Sequence, residues 1–255
     1  MRLHVHEWGA PGAPHVVCLH GITGHGRRFR KLAEERLARR FHVLAPDLRG
    51  HGRSPWDEPW TLAAHVEDVL ETFGEPAAWV GHSFGGRLVM EVAARRPEIV
   101  ERAALLDPAM NVPQDFARQL AEYESTPKRF ASVEEAFAER SVDLLHTPRE
   151  LVEEELREHL VRDEGGRYGY RYSQPCIAAT YLELTAPPPA YERLRLPTLL
   201  LVGAGSKVVG AGEAELYRRA LGALLELAVV PGGHSVLWDA FAETADRVET
   251  FLAAS

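Results

Sequence analysis

Short runs of hydrophobic residues recur along the chain, and amphipathic stretches separate them. The uninterrupted hydrophobic runs are residues 16–19, 43–45, 78–80, 103–106, 199–202 and 227–230. Such runs are typical of parallel strands that helices cover on both faces. A helical pattern marks the stretches between them, at residues 29–37, 62–73, 88–94, 213–221 and 245–252. Strands that alternate with helices predict an α/β fold with a doubly wound, mostly parallel sheet.

The alternation is interrupted between residues 111 and 190, where the chain is charged and mostly helical in pattern. This stretch ends in three consecutive prolines at residues 187–189, which stop a helix and suit a junction. We therefore predict a first core part at residues 1–110, an inserted helical segment at 111–190 and a second core part at 191–255. Doubly wound sheets bind ligands at the carboxyl ends of their strands, so the residues directly after each hydrophobic run are the candidates for chemistry.

The composition of the chain argues against some classes of binding partner. The 255 residues include 29 Lys and Arg against 37 Asp and Glu, a formal net charge of −8, which argues against nucleic acid or an anionic membrane as the main partner. No hydrophobic run approaches the roughly 20 residues of a membrane span. Two cysteines, Cys18 and Cys176, are too few for a disulfide framework. These features predict a cytoplasmic protein that acts on a small molecule.

A serine lies where chemistry is expected. The run Gly-His-Ser-Phe-Gly at residues 81–85 follows one hydrophobic run and precedes a helical pattern, which places Ser83 on the turn from strand to helix. A serine on so sharp a turn adopts a strained backbone, and glycines two residues before and after it avoid collisions. Ser83 is therefore the candidate nucleophile; the alternative is a glycine-rich turn with an incidental serine.

Four motifs together resemble the α/β-hydrolase family. They are His-Gly-Ile-Thr-Gly at residues 20–24, Asp-Leu-Arg-Gly-His-Gly-Arg-Ser at 47–54, Gly-His-Ser-Phe-Gly-Gly at 81–86 and Pro-Gly-Gly-His at 231–234. Their order matches that family, and the resemblance covers the chain outside the inserted segment. It implies the α/β-hydrolase fold, a segment 111–190 that forms a cap over the site, and oxyanion-binding N–H groups on Ile22 and Phe84.

A serine hydroxyl needs a base, and His234 is the candidate. It lies in a glycine-rich loop after the last hydrophobic run, at the edge where Ser83 is expected. A purely structural role for His234 is the alternative. Three further histidines lie inside the motifs, at positions 20, 51 and 82, where we expect turn stabilisation and packing.

The third member of the expected triad departs from the commonest family pattern. Most relatives carry Gly-x-x-Asp after the strand that corresponds to residues 199–202, whereas this chain reads Gly-Ala-Gly-Ser and ends at Ser206. Asp107, directly after the run 103–106, is our candidate acid, as in haloalkane dehalogenases, which the chain resembles in this respect. Glu213 and Asp239 are the fallbacks, and an ordinary Asp-Pro turn is the structural alternative for Asp107.

The residues that line the substrate pocket are harder to predict. Tyrosines at every second position, Tyr168, Tyr170 and Tyr172, would share one face if extended, and with Trp238 and Phe84 they are candidates to line the pocket. Packing of the cap onto the core is the alternative for the tyrosines. We expect a mostly hydrophobic pocket with few fixed charges. No metal or organic cofactor is predicted, because the histidines lack a His-x-x-x-His pattern and both cysteines are isolated.

The sequence thus predicts an enzyme that hydrolyses a small, mostly hydrophobic carboxylic ester through an acyl-enzyme on Ser83. Loss of the Ser206 side chain is expected to have little effect, and loss of the Asp107 carboxylate a severe one. Thioesters and lactones are also open as substrates, and two alternative functions stay open. One is hydrolysis of a carbon–carbon bond in a diketone, and the other is a non-catalytic ligand-binding protein on a hydrolase scaffold.

Overall fold

A seven-stranded sheet runs through the centre of the molecule, in a computed structural model that describes residues 1–140, 144 and 146–254. The nine strands of the described chain are β1 (Val5–Trp8), β2 (His15–Leu19), β3 (His42–Pro46), β4 (Ala77–His82), β5 (Val100–Leu106), β6 (Leu160–Arg162), β7 (Tyr168–Tyr170), β8 (Thr198–Gly203) and β9 (Leu225–Val230). The central sheet has the order β1-β3-β2-β4-β5-β8-β9. Strand β1 pairs antiparallel with β3, and the other neighbouring strands of this sheet are parallel.

Helices cover both faces of this sheet or belong to the inserted segment. Those described are α1 (Arg30–Leu32), α2 (Leu62–Thr72), α3 (Phe84–Arg95), α4 (Gln114–Ser125), α5 (Val133–Arg140), α6 (Arg149–His159), α7 (Gln174–Glu183), α8 (Ala211–Leu221), α9 (Val236–Asp239) and α10 (Phe241–Ala253). None of the helices described is long and apolar enough to cross a membrane.

The predicted fold class is confirmed, because all six hydrophobic runs lie in strands of one mostly parallel sheet. One predicted helix differs in detail. Residues 29–37 contain the end of a 3-10 turn (Gly26–Phe29), one α turn and a π-helical turn (Ala33–Leu37). The residues buried here are Phe29, Leu32, Ala33 and Leu37, which keep the spacing of a helix face. The periodicity therefore predicts the buried face but not the hydrogen-bonding pattern.

The segment at 111–190 leaves the sheet after β5 and returns before β8. Its described part holds α4, α5, α6, α7 and an antiparallel pair of short strands, β6 and β7. The alternation at residues 168–172 indicated an extended stretch, but its pairing with residues 160–162 was not predicted.

The strand order reverses direction between β2 and β4: β3 lies on one side of β2, whereas β4, β5, β8 and β9 follow on the other. Loops that leave two such strands diverge and open a crevice at their carboxyl ends. The residues after β2 and β4 are those of the first and third sequence motifs, so the fold brings these motifs to one crevice.

Candidate active site

Ser83 is the residue that joins β4 to α3. Its backbone has φ 54° and ψ −117°, a conformation that L-residues rarely adopt, and its side chain is nearly buried. The Ser83 N–H donates to the carbonyl of Leu106 at 3.1 Å, and its own carbonyl accepts from Ala109 at 3.1 Å. Backbone contacts on both sides therefore hold the strained turn in place.

Two glycines make this turn possible, because backbone atoms of neighbouring elements lie too close to them for a side chain. A side chain at Gly81 would place its Cβ 2.5 Å from the carbonyl oxygen of Gly85, and one at Gly85 would place it 2.0 Å from the carbonyl oxygen of Leu19. Both distances lie well inside van der Waals contact. The motif thus brings helix α3 close to β2 and β4.

His234 and Asp107 meet across the sheet edge. The Nδ1 atom of His234 lies 2.5 Å from Oδ2 of Asp107, whose side chain is fully buried and directly follows β5. A carboxylate accepts hydrogen bonds, so Nδ1 carries the proton and Nε2 is left with its lone pair. Asp107 also has a positive φ of 46°, a conformation that residues other than glycine rarely adopt. The surrounding structure must therefore hold its backbone in place.

The residue at the usual position of the acid takes part as well. Ser206 Oγ donates to the same Asp107 oxygen at 2.5 Å and accepts from the N–H of Val208 at 3.1 Å. The sequence did not predict this contact, because Ser206 was considered only as a missing acid. The structure gives it a role in holding the carboxylate that faces His234.

Neither fallback acid contacts the His234 ring in the part of the chain that the structure describes. Asp239 accepts from the N–H of Gly233 at 2.8 Å and from Thr147 Oγ1 at 2.6 Å, so it orders the loop before His234. Burial raises the pKa of Glu213 to about 7, while hydrogen bonds from Tyr191 and Asn111 oppose the shift and the charge of Asp107 adds to it. Glu213 thus lies near enough to Asp107 to feel its charge, as a second, partly buried carboxyl group.

His82 fixes the loop that carries His234. Its Nε2 donates to the backbone carbonyl of His234 at 2.9 Å, and the two imidazole rings lie 4.8 Å apart. Burial lowers the pKa of His82 well below its usual range, and His234 lowers it further. His82 is therefore a neutral donor beside the candidate base.

The two predicted oxyanion donors are available. The N–H groups of Ile22 and Phe84 make no hydrogen bond within the described part of the chain, and Phe84 is the first residue of α3. The Phe84 side chain is fully buried against His65, so it does not line the cavity as predicted. The Phe84 side chain therefore belongs to the core, and the predicted role rests on its N–H group alone.

His20 anchors the peptide unit that carries the Ile22 N–H. The N–H of Leu48 donates to His20 Nε2 at 3.0 Å, so Nδ1 holds the proton and donates to the Gly21 carbonyl at 2.8 Å. That carbonyl and the Ile22 N–H belong to one planar peptide. The hydrogen bond from His20 therefore fixes the direction of the Ile22 N–H.

A cavity of about 290 Å³ contains both Ser83 and His234 in its wall. Hydrophobic side chains from core and inserted segment form much of the rest. Those described are Ile22, Ala109, Val112, Phe116, Leu120, Tyr123, Leu144, Tyr181, Leu184 and Val208.

A family model of the α/β-hydrolase fold matches residues 14–241. The chain belongs to the α/β-hydrolase family. Lipase LipV of Mycobacterium tuberculosis is 38% identical to this α/β hydrolase over 187 residues, which cover 71% of each chain. The sn-1-specific diacylglycerol lipase ABHD11 of Mus musculus is 29% identical over 257 positions, with 94% of this chain and 81% of ABHD11 covered.

A solved structure is similar over nearly the whole length. The crystal structure of E-2-(acetamidomethylene)succinate hydrolase superposes on this α/β hydrolase with a TM-score of 0.89 at 25% identity, covering 99% of this chain and 95% of that one. The prediction of an ester-hydrolysing α/β hydrolase is thereby confirmed at the level of the family.

The structure does not place the predicted aromatic residues of this α/β hydrolase at the cavity of Ser83. Tyr170 and Tyr172 stack on each other at 5.3 Å, and the His159 ring lies tilted against both inside the inserted segment. Tyr168 lies at the start of β7, and Trp238 packs under the guanidinium of Arg28 at 4.4 Å. Tyr172 also contacts His51 of the core, which agrees with the alternative of packing between cap and core, whereas Tyr170 packs within the segment.

The cavity is also more charged than expected, because Arg28, Glu124 and Arg140 contribute to its wall. Arg28 donates twice to Glu155, at 2.8 and 2.6 Å, and Arg140 donates to the same carboxylate at 3.3 Å. Burial alone would raise the pKa of Glu155, but the two guanidinium groups lower it. The polar wall was missed because its members come from segments distant in sequence.

Proposed function

We propose that this α/β hydrolase is a serine esterase that cleaves a small, mostly hydrophobic carboxylic ester through an acyl-enzyme on Ser83. The observation that carries the proposal is the 2.5 Å contact between His234 Nδ1 and the buried Asp107 carboxylate, in a wall that Ser83 shares. This contact leaves Nε2 of His234 with its lone pair, as the base that the mechanism needs for Ser83.

In the first step, Ser83 Oγ attacks the ester carbonyl while His234 Nε2 takes the hydroxyl proton. The carbonyl oxygen gains negative charge, which the N–H groups of Ile22 and Phe84 stabilise. The bond to the alcohol then breaks, and His234 returns its proton to the leaving oxygen. The product is an ester between the acyl group and Ser83.

In the second step, water attacks the acyl-enzyme and gives one proton to His234. The tetrahedral intermediate uses the same two N–H donors. When it collapses, the proton returns to Ser83 Oγ and the carboxylic acid leaves. Asp107 stays ionised throughout and stabilises the imidazolium ion in both steps.

The cavity supports a small substrate. About 290 Å³ is at the lower end of the usual range for ligand pockets, and its wall is mostly hydrophobic. We propose that the inserted segment acts as a cap, since α4 contributes Phe116, Leu120 and Tyr123 to the same wall. The names of the similar lipases support an ester as the bond that is cleaved.

A substrate panel tests the proposal. We expect rapid hydrolysis of p-nitrophenyl esters of short and medium acyl chains, and none by Ser83→Ala. Rapid turnover of a ring-cleavage diketone alone would overturn the esterase assignment in favour of carbon–carbon hydrolysis. No turnover of any substrate, with unchanged ligand binding in Ser83→Ala, would favour a binding protein.

A further inference from the structure

We propose that His4, His6 and Asp47 form a binding site for one divalent transition-metal ion of the Zn²⁺ type, outside the cavity of Ser83. None of the three residues takes part in the proposed ester hydrolysis. The site lies on β1, the edge strand of the central sheet, and at the end of β3 beside it.

The register of the two strands brings the three side chains together. His4 and His6 are two residues apart in extended chain, so they project to the same face. Their rings are 4.8 Å apart and nearly perpendicular. Asp47 directly follows β3, and its N–H donates to the His4 carbonyl at 2.9 Å, which continues the antiparallel pairing.

The donor atoms are close to the spacing that a metal ion needs. One ligand atom from each residue lies within 4.8 Å of the others, and His6 Nε2 is 3.2 Å from Asp47 Oδ1. Ligand atoms at the bond lengths of tetrahedral Zn²⁺ are about 3.3 Å apart. The distance between His6 Nε2 and Asp47 Oδ1 already fits this value. A rotation of the His4 ring would shorten the distances from its nitrogen to these two atoms.

The His4 ring is able to make that rotation. It is only partly buried, and it makes no hydrogen bond in the part of the chain that the structure describes. The backbone beneath it is fixed, because the His4 N–H donates to Ser54 Oγ at 2.8 Å and Ser54 Oγ donates to the Asp47 carbonyl. A ring that is not held by a hydrogen bond of its own, on a backbone that is held, suits a metal ligand.

The Asp47 carboxylate is held in position by backbone donors. Oδ1 accepts from the N–H of Gly26 at 2.8 Å, and Oδ2 accepts from the N–H of Arg53 at 2.9 Å. Each carboxylate oxygen has a second lone pair, so a metal ion can bind without loss of these contacts. Such hydrogen bonds to a ligand fix its direction and favour metal binding.

The chemistry of the donors selects the class of ion. Two imidazoles and one carboxylate, with water in the fourth position, suit Zn²⁺ or a similar borderline ion. Mg²⁺ and Ca²⁺ prefer six or more oxygen ligands and are a poor match. On binding, His6 Nε2 gives up its hydrogen bond to Asp47 and the ring proton moves to Nδ1 through solvent.

Zn²⁺ titration of the chelator-stripped protein, followed by calorimetry, tests the proposal. We expect one tight site per chain and a dissociation constant at least about tenfold weaker in His4→Ala and in His6→Ala. The control is His15→Ala, which removes a partly buried histidine of β2 that is not in the group. Equal affinity in all four proteins, or no site of unit stoichiometry, would overturn the proposal.

Co²⁺ gives an independent readout of coordination. We expect the visible absorption of four-coordinate Co²⁺ in the unmodified protein and in His15→Ala, and its loss in His4→Ala and His6→Ala. A spectrum that persists in both of these variants would place the ion elsewhere and refute the site. Both titrations are independent of ester hydrolysis, so failure of one proposal does not affect the other.

Discussion

At the scale of single residues, the Asp107 carboxylate connects His234 and Ser206 in the candidate site. One of its oxygens accepts from His234 and from Ser206, and it is fully buried. The sequence identified Asp107 because it follows a strand that neighbours the strand of Ser83. It could not predict the part of Ser206, because that contact joins residues 99 positions apart.

Asp107→Asn tests the contact between this carboxylate and His234. The amide can present its NH₂ group to His234 Nδ1, which favours the wrong tautomer and leaves Nε2 protonated. We expect kcat to fall by roughly 10³- to 10⁴-fold with little change in KM. Steady-state kinetics on a p-nitrophenyl ester measures both. A kcat within a few-fold of the unmodified enzyme would remove Asp107 from the mechanism.

Ser206→Ala separates the supporting contact from the acid itself. The sequence predicted little effect, whereas the structure shows a hydrogen bond to the oxygen that faces His234. We now expect a fall in kcat of about tenfold, because one of two donors to that oxygen is lost while the carboxylate remains. An unchanged kcat would support the original prediction, and a loss equal to that of Asp107→Asn would make the serine as important as the acid.

Glu213 is a single residue that is expected to make the stability of the folded protein depend on pH. Its pKa of about 7 in the folded protein exceeds the ordinary value of 4.5, mainly because of burial. The folded protein therefore keeps a proton that the unfolded chain releases between these pH values, and the free energy of unfolding falls as pH rises through this window.

Glu213→Gln should remove this fall in the free energy of unfolding at high pH. We expect the variant to be more stable than the unmodified protein at pH 8, by about 3 kcal/mol at most, with a smaller difference at pH 5. Urea denaturation at the two pH values measures it. Glu215→Gln, at a partly exposed position on the same helix, is the control. A difference that does not grow with pH would contradict the burial of a protonated Glu213.

At the scale of elements, helix α4 has a hydrophobic stripe that follows from its sequence. Phe116, Leu120 and Tyr123 are spaced by four and three residues, so they lie on one face and reach the cavity wall. This spacing could have predicted the pocket residues. The tyrosines at 168, 170 and 172 were considered instead because their alternation is more conspicuous, with packing as the alternative. Tyr170 and Tyr172 stack on each other within the inserted segment.

Phe116→Ala tests whether this stripe binds the substrate chain. Phe116 is half exposed at the cavity, so the variant should fold normally. We expect kcat/KM for a medium-chain p-nitrophenyl ester to fall about tenfold relative to the acetate, because apolar contact area is lost only with the longer chain. Arg118→Ala, on an exposed part of α4, is the control. Equal losses for both esters would show that the stripe does not contact the chain.

At the scale of the whole molecule, the sheet brings together residues from three distant parts of the chain. Ser83 follows β4, Asp107 follows β5, and His234 follows β9, and all three strands end at the same edge. The alternation of strands and helices predicted this edge. It could not predict the contact distances or the charged part of the cavity wall, because these depend on how the inserted segment packs.

The central claim is that Ser83 is a nucleophile activated by His234. Fluorophosphonate labelling at neutral pH, read by intact-protein and peptide mass spectrometry, tests it most directly. One label per chain on Ser83 is expected in the folded protein, with no label in Ser83→Ala and a rate lowered at least about a hundredfold in His234→Ala. Absence of the label from Ser83 in folded protein, or an unchanged rate in His234→Ala, would contradict the account.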